Sequence, residues 1–472
     1  MLVVTSGCVS GTSGPAPADA DAAGVPADGP PAIAADPAGG TDAIETPATA
    51  VGTTLAGPKA TTTLPPEAPS STEEAGAPDD AVWSLPPEKA SEILELMTVV
   101  ASLRGHDFLA RPPVEIDANG ERAAASGPRP GWLSPEYLGR HLALADFLGM
   151  SSDGVDMQWV LDTLDPATYE PFYDFERRTI VLPAVAGPLD EYQKWILVGE
   201  LAHALTVQHE PEVLAGLASA GGDHDAAAAL AALLEGEAAL VQSLYLASLP
   251  PERRSEVALQ ATERPRISLD GLPSILREML LFPYREGSFL VVNLYRLGGT
   301  EALDRALEHP PGTTEHILHL DRYRALEPAL AVQPLRVAAD GYVLVEQGTW
   351  GEHRWRALLD HYSGPGAASL AAEGWGGDHY QLHIHPLTED LVFVARYVGD
   401  SFADEAEMNS AIRTMLSSGI EAGPSQVIDT ITEWEGGTDY ALLAWDVDAI
   451  TLVVASDPVV GRMIASQLGI ST

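Results

Sequence analysis

Between residues 91 and 307, apolar positions recur at three- and four-residue spacing in several segments, while beyond 340 they gather in short β-branched and aromatic runs. The first pattern predicts helices and the second strands. Residues 91–105 read as a helix closed by Gly105. Residues 134–149 read as another, with Ser134 as N-cap, Pro135 in the first helical position and Gly149 at the end. The segment 172–183 reads as two short strand pieces around a polar turn. Two long helices follow. One covers 188–208, with Asp190 and Glu191 in its first turn and Pro211 beyond its end. The other covers 224–249, opening after Asp223 and stopping at Pro250-Pro251, and is rich in Ala and Leu. Further helices are expected over 285–297, closed by Gly298-Gly299, and over 300–307.

Near Pro334 the pattern changes. Strands are predicted at 342–347, 380–385, 391–398, 440–445 and 450–456, with helices at 405–416 and 459–468. No repeat at a fixed period is visible. The expected fold class is α+β. A mainly helical domain with a short sheet spans 82–333, and a smaller α+β domain spans 334–472.

Composition separates the N-terminal part from the rest. Residues 10–80 are almost entirely Ala, Pro, Gly, Thr and Asp, without aromatics or apolar periodicity. Such a stretch has too little to bury to offset the entropy of folding, so 9–81 is expected to be a disordered linker. The single cysteine, Cys8, precedes it and excludes a disulfide framework or a multi-cysteine metal site. A short apolar run and a small residue before Cys8 resemble a bacterial lipoprotein cleavage site, although Thr5 departs from the aliphatic residue preferred there. The resemblance makes 1–8 a short signal remnant and Cys8 the acylated residue. It places the protein outside the cytoplasm, lipid-anchored to the membrane or secreted. Lys+Arg 26 against Asp+Glu 68 gives a formal net charge of −42. That balance offers no footprint for a phosphate backbone, and nucleic acid is excluded as a partner.

Candidate chemistry lies on the two long helices. Glu200 and His203 stand one turn apart in Gly199-Glu200-Leu201-Ala202-His203. A zinc-peptidase helix carries H-E-x-x-H, two imidazoles on one face with the intervening Glu as general base. Here Gly199 occupies the first histidine's place. Glu235, flanked at helical spacing by Ala231, Ala232, Ala238 and Ala239, stands where a third ligand from a following helix would come, on a face another helix could approach closely.

The order of motifs is similar to that of gluzincin-type peptidases, in particular a group of secreted bacterial zincin-like proteins. The matching pieces are Phe172-Tyr173-Asp174, Gly199 to His203, Glu235-Gly236-Glu237-Ala238, Pro310 to His319, and Gly374-Trp375-Gly376-Gly377-Asp378. The resemblance implies zinc as cofactor, His203 and Glu235 as ligands and Glu200 as base. It also implies a later His or Tyr near the oxyanion, for which His319, Tyr284 and Tyr323 are candidates. With glycine at 199 only two protein ligands remain, whereas catalytic zinc normally keeps three. We therefore expect a pseudo-peptidase that binds a peptide, a protein or an envelope component. Two alternatives stay open. One is an active zinc peptidase with an unusual ligand set, and the other a structural envelope lipoprotein acting through its C-terminal domain. A buried ion pair of His203 between Glu200 and Glu235 is the bland counterpart of the metal site. His383 and His385 fall on one strand face, and 374–378 is expected to be a turn leading into that strand.

Overall fold

In the computed structural model, the described residues run from 83 to 470, apart from 118–134, 152–154, 158, 161–169, 185–186, 219–222, 265–268, 270, 421–423, 429, 437–438 and 447–448. Cys8 and the whole of the expected linker lie outside them. The described residues belong to a single compact unit.

The helical part opens with α1 (Pro87–Arg104), which ends on Gly105 at φ 82°. Strand β1 (Val114–Asp117), helix α2 (Pro135–Phe147) and strands β2 (Phe172–Asp174) and β3 (Thr179–Pro183) follow. The three strands form a small sheet in the order β1-β3-β2, with β1 parallel and β2 antiparallel to β3. Next come α3 (Glu191–His209), α4 (Glu212–Ala218), α5 (His224–Ser248), α6 (Pro251–Glu263) and α7 (Ser274–Glu308). Their starts are written locally. The Asp190 side chain accepts from the Gln193 backbone amide at 2.8 Å while the Gln193 side-chain oxygen accepts from the Asp190 backbone amide at 3.2 Å, a capping box, and Asp223 caps α5. Helix α5 is long and apolar enough to cross a membrane, but most of it is buried inside the protein. Helix α7 begins eleven residues earlier than its pattern suggests and runs through Pro283. The break expected at Gly298-Gly299 is a kink within it.

Two short helices, α8 (Thr314–Leu318) and α9 (Leu320–Ala325), lead to β4 (Val343–Gly348), α10 (Gly351–Ser363) and α11 (Pro365–Glu373). Then follow β5 (Trp375–Ile384), β6 (Leu391–Gly399), α12 (Phe402–Gly419), β7 (Pro424–Ile428), β8 (Ile431–Gly436), β9 (Asp439–Trp445), β10 (Ile450–Ala455) and α13 (Pro458–Gln467). The seven strands form an antiparallel sheet in the order β4-β5-β6-β10-β9-β8-β7. Strand β10 is buried throughout because both sheet faces are covered. Leu452 and Val454 join the large core, while Val453 and Ala455 pack with Ile464 and Ala465 of α13. A nearly continuous apolar run, here interrupted only by Thr451, suits such a strand. The architecture is α+β.

The change in pattern at Pro334 marks a change of element type within one core. Tyr137 and Leu138 of α2, Ile275 and Leu276 of α7, Trp350, Trp355 of α10, Phe393 of β6 and Leu452 of β10 share a single buried cluster. Helix α10 is the bridge, packing on α7 and α8 and also on α11, α12 and β5.

Residues 375–378 were expected to form a turn, but they open strand β5, with a bulge between Trp375 and Gly377. The buried Asp378 carboxylate accepts from the amides of Trp350 and Gly351 and from the indoles of Trp355 and Trp375, at 2.6–3.0 Å. A Cβ at Gly377 would lie 2.5 Å from the Leu330 carbonyl oxygen, so the crossing of the 330 segment requires glycine there. The motif is a buried four-donor anchor beside a backbone crossing.

Candidate functional site

Glu200, His203 and Glu235 do come together. Glu200 and His203 project from α3, and Glu235 from α5, which packs along α3. His203 is buried, its ring 5.1 Å from that of Phe175, and its Nε2 lies 3.7 Å from Glu235 Oε2. The Tyr284 side chain of α7 faces Glu235. Two glycines make this approach of α7 to α5 possible. A Cβ at Gly287 would fall 2.0 Å from the Ala232 carbonyl oxygen, and one at Gly236 would fall 2.3 Å from the Gly287 carbonyl oxygen. The alanine-lined face around Glu235 receives a helix, as its composition suggested.

The next acid, Glu237, points elsewhere and ties three helices together. It accepts from Arg104 of α1 and, at 2.7 Å, from the Thr206 hydroxyl of α3, while Arg104 also reaches Asp304 at 2.9 Å. Breaking such a buried pair by removing one partner costs about 3–5 kcal/mol.

The three site groups polarise one another. Burial pushes the His203 imidazole down, but Glu235 and Glu200 beside it raise it on balance. Burial pushes Glu235 up, and the facing His203 with Tyr284 brings it below the usual carboxylate range. Glu200 is held above that range by burial, against the pull of His203. His203 and Glu235 are thus each shifted toward the charged form that attracts the other, while Nδ1 of His203 is buried without a hydrogen-bond partner and a second, more readily protonated carboxyl lies next to them. Glu200 Oε2 also accepts from the Tyr173 amide at 2.8 Å, so this carboxyl stitches α3 to the outer edge of β2.

Position 199 supplies no donor, and its space is taken. A Cβ on Gly199 would lie 2.5 Å from Nε2 of Gln242, and that amide nitrogen donates to the Ile196 carbonyl at 3.3 Å. Glycine at 199 therefore has a packing role. The residues present do not fit a catalytic zinc. Two protein ligands are fewer than the three such sites keep, and a carboxamide fills the third place. Among the described residues, no group of three or more His, Cys, Asp or Glu side chains is arranged to hold a metal ion.

The other sequence candidates fall in separate places. His319 was expected near the oxyanion position, but its Nε2 meets the two carboxylate oxygens of Glu352 at 2.9 and 3.0 Å. Tyr323 donates to the His309 carbonyl. Of the three oxyanion candidates, only Tyr284 touches the site. His383 is buried within β5, whereas the His385 ring accepts from Thr388 in a following turn, so the two do not form half a metal site. Gln242 was not anticipated. It stands seven residues after Glu235, two turns on along the same helical face, and a glutamine amid Ala and Leu was its only sequence signal.

No protein-family model, curated protein or solved structure matches the chain.

Proposed function

We propose that this chain is a homologue of zinc peptidases that has lost hydrolysis. In this proposal it works outside the cytoplasm, tethered through an acylated Cys8, by binding a peptide, a protein or an envelope component. The observation that carries the proposal is the Gln242 carboxamide packed against Gly199, where a ligating imidazole would otherwise project. Loss of the first ligand alone would leave a lesion in an otherwise open site. A neighbouring side chain that uses the vacated space, and hydrogen-bonds there, supports a settled non-metal arrangement. The remaining His203–Glu235 pair and the Glu200 bond to β2 then act as ties between α3, α5 and the small sheet.

The test is metal content by mass spectrometry on the full chain after zinc loading and desalting, with hydrolysis of a peptide mixture measured in parallel. The expected result is no retained zinc and no cleavage. About one zinc per chain, lost in Glu235→Ala, would overturn the proposal, because structural and catalytic sites both hold zinc tightly.

A further inference from the structure

A second buried cluster centres on Glu346 of β4, whose side chain is almost fully enclosed. Its Oε1 accepts the Tyr380 hydroxyl of β5 and lies 3.4 Å from Arg354 Nη1 of α10. The same oxygen is 3.8 Å from His141 Nε2 of α2 and 3.8 Å from His224 Nε2 of α5. Its Oε2 faces Arg140 of α2 at 3.8 Å. One carboxylate thus draws together two guanidinium groups and two imidazoles from three helices.

The surroundings suit neutral imidazoles. His141 Nδ1 is 3.0 Å from the Tyr137 carbonyl, and its Nε2 is buried without a hydrogen-bond partner. The His141 ring stacks on Trp350 at 5.5 Å, and the same indole carries the Arg354 guanidinium at 4.4 Å. His224 packs on the Tyr137 ring, and its buried Nδ1 also lacks a partner. An imidazolium needs an acceptor at both nitrogens, and neither ring has two. Asp225, next to His224, is engaged by Thr314 and keeps its proton up to about pH 8 because it is buried. Neutral over the pH range below that, Asp225 supplies no negative charge to offset an imidazolium in the cluster. Burial also holds His141 below its ordinary range and brings His224 down to about 4. His353 is likewise held far down by burial and by Arg356, Arg285 and Arg354. His224, Asp225, His353 and Arg354 line a small cavity beside the cluster.

We propose that this cluster is an acid-sensitive clasp between the helical part and the edge of the seven-stranded sheet. With neutral imidazoles, Glu346 ties α2, α5, β4 and α10 together. Protonation of His224 and His141 adds positive charge beside Arg354 and Arg140, whose own charge already exceeds that of the one carboxylate. The clasp then opens locally, because only the opened segments can hydrate the imidazolium rings.

Hydrogen exchange by mass spectrometry on the full chain tests this, with rates corrected for the intrinsic pH dependence. Between pH 7.5 and 5, residues 135–147 and 343–356 should lose protection while α3 keeps its own. His224 alone, taking its proton near pH 4 when closed and at its ordinary value when open, makes opening roughly 30-fold more favourable at pH 5. His224→Gln should retain most of the lost protection. Arg140→Gln, a change at a more exposed side chain, should move the loss to lower pH. An unchanged wild-type protection pattern at pH 5 would overturn the proposal. So would an acid response of equal size in both variants.

Discussion

Gly199 and Gln242 share one space: the position of a Cβ on the first lies 2.5 Å from the amide nitrogen of the second. In an unobstructed helix, Gly→Ala gains about 1 kcal/mol. Here the added methyl must displace a hydrogen-bonded carboxamide, and overpacking costs about 1–3 kcal/mol. Gly199→Ala should therefore destabilise the wild type by roughly 1 kcal/mol and stabilise a Gln242→Ala background. Urea unfolding of the four proteins in this cycle decides it. The same sign in both backgrounds would show that the two side chains do not compete.

The same geometry predicts how a metal site could be rebuilt. Gly199→His alone should retain much less zinc than one per chain, because the imidazole must first displace the Gln242 carboxamide. Gly199→His combined with Gln242→Ala should retain close to one zinc per chain, completing the three-ligand set with His203 and Glu235. Zinc content of the two variants after desalting is the readout. Equal retention in both would remove Gln242 from the account.

Gly287 has no room for any side chain, since its Cβ would lie 2.0 Å from a backbone oxygen on α5. Backbone atoms cannot rotate away as Gln242 can. Gly287→Ala should cost at least about 3 kcal/mol, the upper end of overpacking penalties, and should separate Tyr284 from Glu235. A denaturation midpoint close to wild type would contradict the close crossing of α5 and α7.

Asp378 satisfies two backbone amides and two indoles inside the core. Asp378→Ala leaves four buried donors without an acceptor, each costing about 1–3 kcal/mol. The protein should be grossly destabilised, with loss of the near-ultraviolet circular dichroism contributed by Trp350, Trp355 and Trp375. Retention of that signal would show that the anchor is dispensable.

Glu315 offers a test of pH dependence with a defined sign. Burial, opposed by Arg322 and reinforced by Glu352, pushes its carboxyl up to about 7. The folded state then binds a proton that the unfolded chain releases near its ordinary value. The stability contributed by this group is full below that value and is lost as pH rises through about 7. Glu315→Gln, which keeps an acceptor for Arg322, should gain stability relative to wild type between pH 5 and 8, by up to about 3 kcal/mol. A pH-independent difference would mean that Glu315 is charged when folded.

The sequence by itself determined what neighbouring residues decide. The Asp190 and Asp223 caps, Gly105 and Gly149 after their helices, and the β-branched runs of β6 and β10 all act within a few positions, and those elements stand close to where their patterns put them. The alanine-lined face around Glu235 also left room for a helix to approach closely. Tertiary structure alone decided what meets across long stretches of chain. Gln242 fills the space at Gly199 from another helix, His319 turns to Glu352, and Trp375 to Asp378 become a strand and an anchor. Glu346 collects partners scattered from Arg140 to Tyr380. The physical reason is range. Periodicity and capping depend on local backbone geometry, whereas a buried polar group takes whichever partner the packing of distant elements brings within reach.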